Sequence, residues 1–397
     1  MLHQSELNIE YEYVESLDAL NHAVNALASG SGPIAVDAER AAGFRYSHDA
    51  YLVQVSRAES GTFLVDPTAF DTLEPLAEVM NPEVWILHAA SQDLPSLSEL
   101  GLMPANLVDT ELAGRLLGFP RVGLGSLAEH YLEIILEKAH SAVDWSKRPL
   151  PADWLEYAAL DAALLPRLWE LVEKDLIRTG KRDFARQEFE HVRIKPPKEK
   201  PAEPWRRLSG IHQLRGTREL AIARELWNAR DALARELDVT PTALIYDRSI
   251  VFAAKYVPRS AEDLDKQRGF RGKASSSEID RWWRAIRRGK LTDELPEPKR
   301  RDPHSIPHQS TWSTKRPEAA DRLTQARAAV SQKAQELEMP VENLLTPSVL
   351  RHLAWEPVLP ITIESVGAQL RELGARDWQI EQTQQVIAGA FVDPIQN

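Results

Sequence analysis

Residues 34–40 read IAVDAER. An apolar run, Ile34-Ala35-Val36, leads straight into two carboxylates, Asp37 and Glu39, two residues apart. In a strand, residues i and i+2 stand on the same face. Asp37 and Glu39 therefore stand side by side, and like charges that close disfavour each other's ionisation. A divalent metal ion compensates for such repulsion; the plainer alternative is a strand ending at a solvated rim.

Three more short runs rich in β-branched and aromatic residues follow: AYLVQVS (50–56), GTFLVDP (61–67) and EVWILHAA (83–90). The 33–39 run and the first two of these lie close together, as hairpin-connected antiparallel strands do. Helical patterns come next, in DLPSLSEL (93–100), VDTELAGRLL (108–117), LGSLAEHYL (124–132) and WLEYAALDAALLPRLWELVEKDL (154–176). This order of elements predicts an α/β domain with a mixed sheet over residues 1–193.

Two proline-rich polar stretches then divide the chain. IKPPKEKPAEPW (194–205) and LPEPKRRDPHSIPHQSTWSTKRP (295–317) continue neither a helix nor a central strand and read as linkers. The parts they bound, 206–294 and 318–397, are helical in pattern: ELAIARELWNARDALARELDV and RLTQARAAVSQKAQELEM repeat apolar residues at helical spacing. Each is followed by a similar phrase, TPTALIYDRSI and PVENLLTPSVL, which predicts an internal repeat of about 80 residues.

The chain has 397 residues and no cysteine, which excludes disulfides, thiolate nucleophiles and cysteine-based zinc sites. No run approaches the ~18 apolar residues of a membrane span, and the acidic N-terminus lacks the pattern of a secretory signal. These features predict a cytoplasmic protein, with neither a membrane association nor an obligate protein partner evident. The net charge of −11 is unevenly spread: residues 1–190 carry 14 Lys+Arg against 31 Asp+Glu, and the remainder is net basic. Acidic clusters suit metal ions and basic surfaces suit phosphates.

Further acidic positions bear on the first. Asp93 follows an apolar strand at the start of a helical segment, and Asp109 sits at another such junction; singly, each reads as a helix N-cap. Tyr157 and Asp161 are spaced i and i+4, on one face of a helix that is otherwise strongly apolar. A carboxylate there is costly to bury unless paired or metal-bound. Four converging carboxylates suit two Mg²⁺ or Mn²⁺ ions about 3.5–4 Å apart.

In order, type and rough spacing, AVDAE, HAASQD and YAALD resemble the three exonuclease motifs of the DEDD superfamily, in its tyrosine-containing branch. VDTELAGRLLG and DWSKRPL are similar to ribonuclease D, and residues 213–293 and, less clearly, 318–395 resemble HRDC domains. The resemblance implies an RNase H-like α/β exonuclease domain followed by two all-α HRDC-like domains. It implies Asp37, Glu39, Asp93 and Asp161 as ligands of two divalent ions and Tyr157 as the residue that orients the attacking water. It further implies stepwise removal of 5′-monophosphates from RNA 3′ ends, in tRNA precursors or other structured RNA. A DNA exonuclease of the same superfamily and a non-catalytic RNA-binding module are the alternatives. The first motif departs from the family pattern at Ala38 and Arg40.

Basic residues supply the expected RNA contacts. Arg40, Lys147 and Arg148 lie near the motifs. Arg268, Arg271, Lys273, Arg284, Arg287 and Arg288 lie in QRGFRGKASSSEIDRWWRAIRRGK (267–290), interleaved with Phe270, Trp282 and Trp283. Basic side chains hold phosphates and aromatic rings stack bases, although Trp282 and Ile286 also suit a buried helix face. His88 reads as a structural histidine. The G-x-G of VGLGS (122–126) reads as a turn.

Overall fold

The computed structural model describes residues 2–137, 142–196, 199, 201–298 and 305–392. Among the described residues eight strands are formed: β1 (Leu2–His3), β2 (Glu12–Val14), β3 (Ile34–Arg40), β4 (Ala50–Arg57), β5 (Gly61–Val65), β6 (Val84–Leu87), β7 (Asn106–Asp109) and β8 (Ile134–Ile135). Six of them build a mixed sheet in the order β2-β5-β4-β3-β6-β7, while β1 and β8 pair separately. β3, β4 and β5 are antiparallel neighbours, as their short connections dictate, and β6 joins β3 in parallel.

β3 is central and buried on both faces: Ile34, Ala35 and Val36 are fully buried and Ala38 nearly so. That is why its first half is a continuous apolar run rather than an alternating one. The pairing with β6 covers only Ile34 and Ala35. The carboxyl end of β3, with Asp37 and Glu39, therefore projects past β6 into the kind of crevice where open α/β sheets bind ligands. β7 is a four-residue strand that the sequence pattern does not reveal.

The middle helical domain has its own core, built on Trp205, Phe270, Trp282, Ile286 and the Leu220–Leu233 face of the helix Thr217–Glu236. The last helical domain has no separate core. Trp312, Leu323, Val330, Leu353 and Trp378 continue the apolar core of the exonuclease-like domain. The predicted repeat is present, with its second copy 100 residues downstream: Thr217–Glu236, Pro241–Leu244 and Asp247–Lys255 correspond to Pro317–Glu336, Val341–Leu344 and Pro347–Trp355.

The predicted linkers need correction at their ends. Trp205 and Trp312 are buried anchors of the helical domains, so the folded units begin within the stretches 194–205 and 295–317. A single tryptophan in a proline-rich polar run carries too little pattern to mark a domain edge. Part of both stretches lies outside the described residues. No helix among the described residues is long and apolar enough to cross a membrane.

Candidate metal centre and exonuclease site

Three chain segments converge at the carboxyl end of β3. The strand itself presents Asp37 and Glu39 on one face. The helix Ala152–Ala163 presents Tyr157 and Asp161. The segment after β6 turns sharply through Ala89, whose φ is +60°, and delivers Asp93. A left-handed alanine costs about 1–2 kcal/mol, and Asp109 offsets it. The Asp109 carboxylate accepts hydrogen bonds from the backbone N–H of Ala89 (3.1 Å) and Ala90 (2.9 Å) while capping the next helix through Glu111 and Leu112. Asp109 is thus both an N-cap and the brace of the turn that carries Asp93.

One oxygen from each of Asp37, Glu39 and Asp161 lies within 4.8 Å of the others. Asp93 and Tyr157 line the same cavity, of about 860 Å³. Burial, and then the neighbouring carboxylates, hold the pKa values of Glu39, Asp93 and Asp161 above the ordinary range. Burial likewise raises Asp37. A cluster of desolvated, mutually repelling carboxylates with oxygen donors only fits hard divalent cations, which relieve the repulsion. The hydroxyl of Tyr157 is hydrogen-bonded to Asp161 and its pKa is pushed up, first by burial and then by Asp161 and Glu39. At neutral pH it is a protonated hydroxyl, suited to hydrogen bonding rather than to proton abstraction.

The basic residues divide. Arg40 is at the site: Nη2 lies 3.1 Å from the Asp93 carboxylate and Nη1 donates to the carbonyl of Gln92 at 2.6 Å. Lys147 is exposed and does not line the cavity. The expected phosphate contact by Arg148 is not available. Nε and Nη2 donate to Asp66 (2.5 and 2.7 Å), Nη2 also to the carbonyl of Tyr51, and Nη1 to those of Trp145 and Lys147. All five N–H groups of the guanidinium are spent. In the middle domain, Trp282 is core. Arg268 and Lys273 line a groove of about 710 Å³ with Tyr246, Arg248 and Phe252. Arg284, Arg287 and Arg288 line another cavity with Arg224. Arg271 is exposed and lines neither.

His88 has a partner within the fold, its ring nitrogen Nδ1 lying 2.9 Å from the Thr110 hydroxyl, and it also lines the cavity; burial pushes its pKa down to about 4. The sequence reading missed two features. Gln54 stands directly opposite Asp37 on β4, fully buried, with neither amide atom hydrogen-bonded. A lone amide within AYLVQVS was the signal. Arg121, and with it the Val122–Ser126 segment whose G-x-G reads as a turn, forms part of the cavity wall.

The fold agrees with the comparisons to known proteins. A family model described as a 3′-5′ exonuclease matches residues 11–177. Models described as an HRDC domain and as a 3′ to 5′ exonuclease C-terminal domain match residues 219–286 and 305–391. The class is thus a 3′-5′ exonuclease domain followed by helical modules.

Ribonuclease D of Musicola paradisiaca is 30% identical over 262 residues, which cover 64% of this chain and 69% of that protein. Ribonuclease D of Sphingobium indicum is 32% identical over 255 residues, covering 62% and 64%. The chain belongs to the ribonuclease D family. The match spans about two thirds of the length of these curated relatives. Among solved structures, a protein from Bifidobacterium adolescentis is 36% identical with a TM-score of 0.86, covering 96% of this chain and 97% of that one. Escherichia coli RNase D, at 23% identity and a TM-score of 0.69, covers 93% and 100% and shares the fold.

Proposed function

We propose that the protein is a divalent-metal-dependent 3′→5′ exoribonuclease that shortens RNA, such as tRNA precursors or other structured transcripts, one 5′-monophosphate at a time. The observation that carries this reading is the convergence of Asp37, Glu39 and Asp161, with Asp93 and Tyr157, on one cavity at the end of β3. Asp37, Glu39, Asp93 and Asp161 would hold the ions, Mg²⁺ or Mn²⁺. When bound, such ions supply Lewis acidity to the attacking water and to the leaving 3′-oxygen.

The remaining chemistry belongs to the chain. Tyr157, anchored on Asp161, orients the water by hydrogen bonding. Arg121 and the start of the helix Leu124–Leu132, in the lining of the same cavity, offer a cation and backbone N–H groups for the RNA backbone. The middle domain gathers substrate. Its groove carries Arg248, Arg268 and Lys273 beside Tyr246 and Phe252, rings that stand half-exposed. Cations for phosphates beside rings for bases make a sequence-tolerant surface for single strands. The cysteine-free chain suits a reducing, cytoplasmic setting.

The test is a time course on a 3′-extended tRNA in millimolar Mg²⁺, resolved at single nucleotides, for wild type and Asp37→Ala. Matched RNA and DNA oligomers run alongside. The expected result is a ladder of 3′ shortening on RNA, abolished by EDTA and reduced at least about a thousandfold in the variant. Equal shortening by the variant, or none by wild type, sinks the reading, and preferential digestion of DNA redirects it to a DNA exonuclease.

A further inference from the structure

Arg40 is out of place. On a regular strand its side chain would leave the face shared by Asp37 and Glu39. The ladder is irregular at this step: Glu39 pairs with Leu52 and Arg40 with Ala50, so Tyr51 has no partner on β3. Bulges of this kind re-aim side chains beside functional sites. Here the guanidinium turns into the cavity, where it contacts the buried Asp93 carboxylate at 3.1 Å and is anchored by the Gln92 carbonyl. The four acidic residues are thus unequal. Asp93 is in direct contact with a positive partner, whereas within the Asp37–Glu39–Asp161 trio Asp37 and Glu39 feel the same charge only at longer range.

We propose that Arg40 is a resident cation that holds Asp93 in reserve, so that this carboxylate serves a second divalent ion only after Arg40 has let it go. Arg40 thereby weakens the second metal position most, through direct contact with Asp93, and the Asp37–Glu39–Asp161 position less, since its charge reaches Asp37 and Glu39 without such contact. The inference rests on the exonuclease reading above. A guanidinium suits the part because it stays charged at every working pH. It also pairs bidentately both with a carboxylate such as Asp93 and with the phosphates that RNA brings. A phosphate that draws Arg40 away from Asp93 opens the second position at the moment substrate arrives, and by linkage the second ion favours that same phosphate contact.

The experiment is a calorimetric titration of the full-length protein with Mn²⁺ alone, in wild type, Arg40→Gln, Arg40→Lys and Asp93→Asn. Wild type is expected to show a tight and a weak class of site, and Asp93→Asn only the tight one. Arg40→Gln should tighten the weak class by about threefold or more, since a partly exposed ion pair contributes that order of free energy, and the tight class by less; equal tightening of the two classes overturns the inference. Arg40→Lys, which keeps the charge, should stay near wild type. A smaller tightening, or a weakening, in Arg40→Gln overturns the inference and makes Arg40 a mere support of Asp93. Equal tightening in Arg40→Lys overturns it as well. A single Mn²⁺ class in every variant overturns it while leaving the exonuclease reading intact; only a failure of wild type to bind Mn²⁺ at all brings down that reading too.

Discussion

Asp238 and Glu338 occupy the same place in the two helical domains. Each follows the long first helix of its repeat, and each has a φ of +47°. Both touch the exonuclease domain, but by different chemistry. Asp238 offers its side chain: the carboxylate accepts from the backbone N–H of Tyr46 (3.2 Å) and from Arg45 (3.3 Å), and it is half-exposed. Glu338 offers its backbone. Its carbonyl accepts from the buried Lys181 Nζ at 3.2 Å and lies where a Cβ on Gly118 would come within 2.4 Å. Around Glu338 the contact is apolar and continuous with the core; Phe184 stacks on Trp378 at 4.5 Å. Around Asp238 it is a polar clamp on the 41–49 loop, in which Tyr46 also meets Asp231 and Arg235. One repeat has been fused to the catalytic domain and the other attached to it. The fused copy shares the core of the exonuclease domain, while the attached copy keeps a core of its own, as the substrate-gathering role proposed above requires.

The strongest way to break this comparison is at Glu188. Its carboxylate accepts from Arg376 at 2.7 and 2.8 Å and from the indole N–H of the fully buried Trp378 at 2.8 Å. Removing one partner of a buried pair leaves the other charged and unsatisfied, which costs about 3–5 kcal/mol. Glu188→Ala should lower the thermal midpoint of the exonuclease and C-terminal unit together by on the order of 10 °C. Scanning calorimetry would detect it. A C-terminal transition that separates from that of the exonuclease domain would show that the two do not share a core.

What the sequence discloses, and what it does not, follows the same division between local and distant contacts. The D-x-E at the end of β3, the hairpin-like spacing of three strands and the Tyr157–Asp161 pair are local patterns, and they are legible. Arg148 is not. As a charged residue on a loop it reads as a phosphate contact, but its partner Asp66 is 82 residues away. Nor can the second role of Asp109 be read, because the turn it braces belongs to a different strand. Trp205 and Trp312 anchor their domains from proline-rich stretches whose composition alone says linker. The internal repeat was visible in its phrases, whereas the different attachment of its copies depends on exonuclease-domain residues, Tyr46 and Glu188, that no repeat pattern contains.

Acid sharpens the comparison with an effect of intermediate size. Burial pushes the pKa of His88 down to about 4, against an ordinary value of 6.5. The unfolded chain therefore binds more protons between these pH values, so this residue costs stability as pH falls through 6.5 toward 4. At pH 5 the cost is about 1–2 kcal/mol. The raised carboxylates of the metal centre act in the opposite sense, since protonation favours their folded form. The His88 contribution is therefore read as the difference between wild type and His88→Gln, melted at pH 7 and pH 5. The variant should lose less than wild type on acidification, and only in the transition of the exonuclease and C-terminal unit. An equal loss in the two proteins would mean that His88 takes up its proton as readily in the folded protein as in the unfolded chain.

The smallest expected effect is at the clamp. Glycine keeps the left-handed turn at position 238 without strain and deletes the carboxylate that Arg45 and the Tyr46 N–H use. Losing a partly exposed ion pair and one hydrogen bond costs about 1 kcal/mol, so Asp238→Gly should barely move the thermal midpoint. Hydrogen exchange is the sensitive measurement. The amide of Tyr46 donates to Asp238, and that of Thr240 donates to the Phe44 carbonyl at 3.0 Å. Both amides should exchange several-fold faster in the variant, because a local opening samples free energies of this size. Amides of the helix Asp377–Val392, on the fused copy, should keep their protection. If they lose it in parallel, the two attachments are coupled through the exonuclease domain, and the polar clamp must be counted as part of the core that holds the whole chain together.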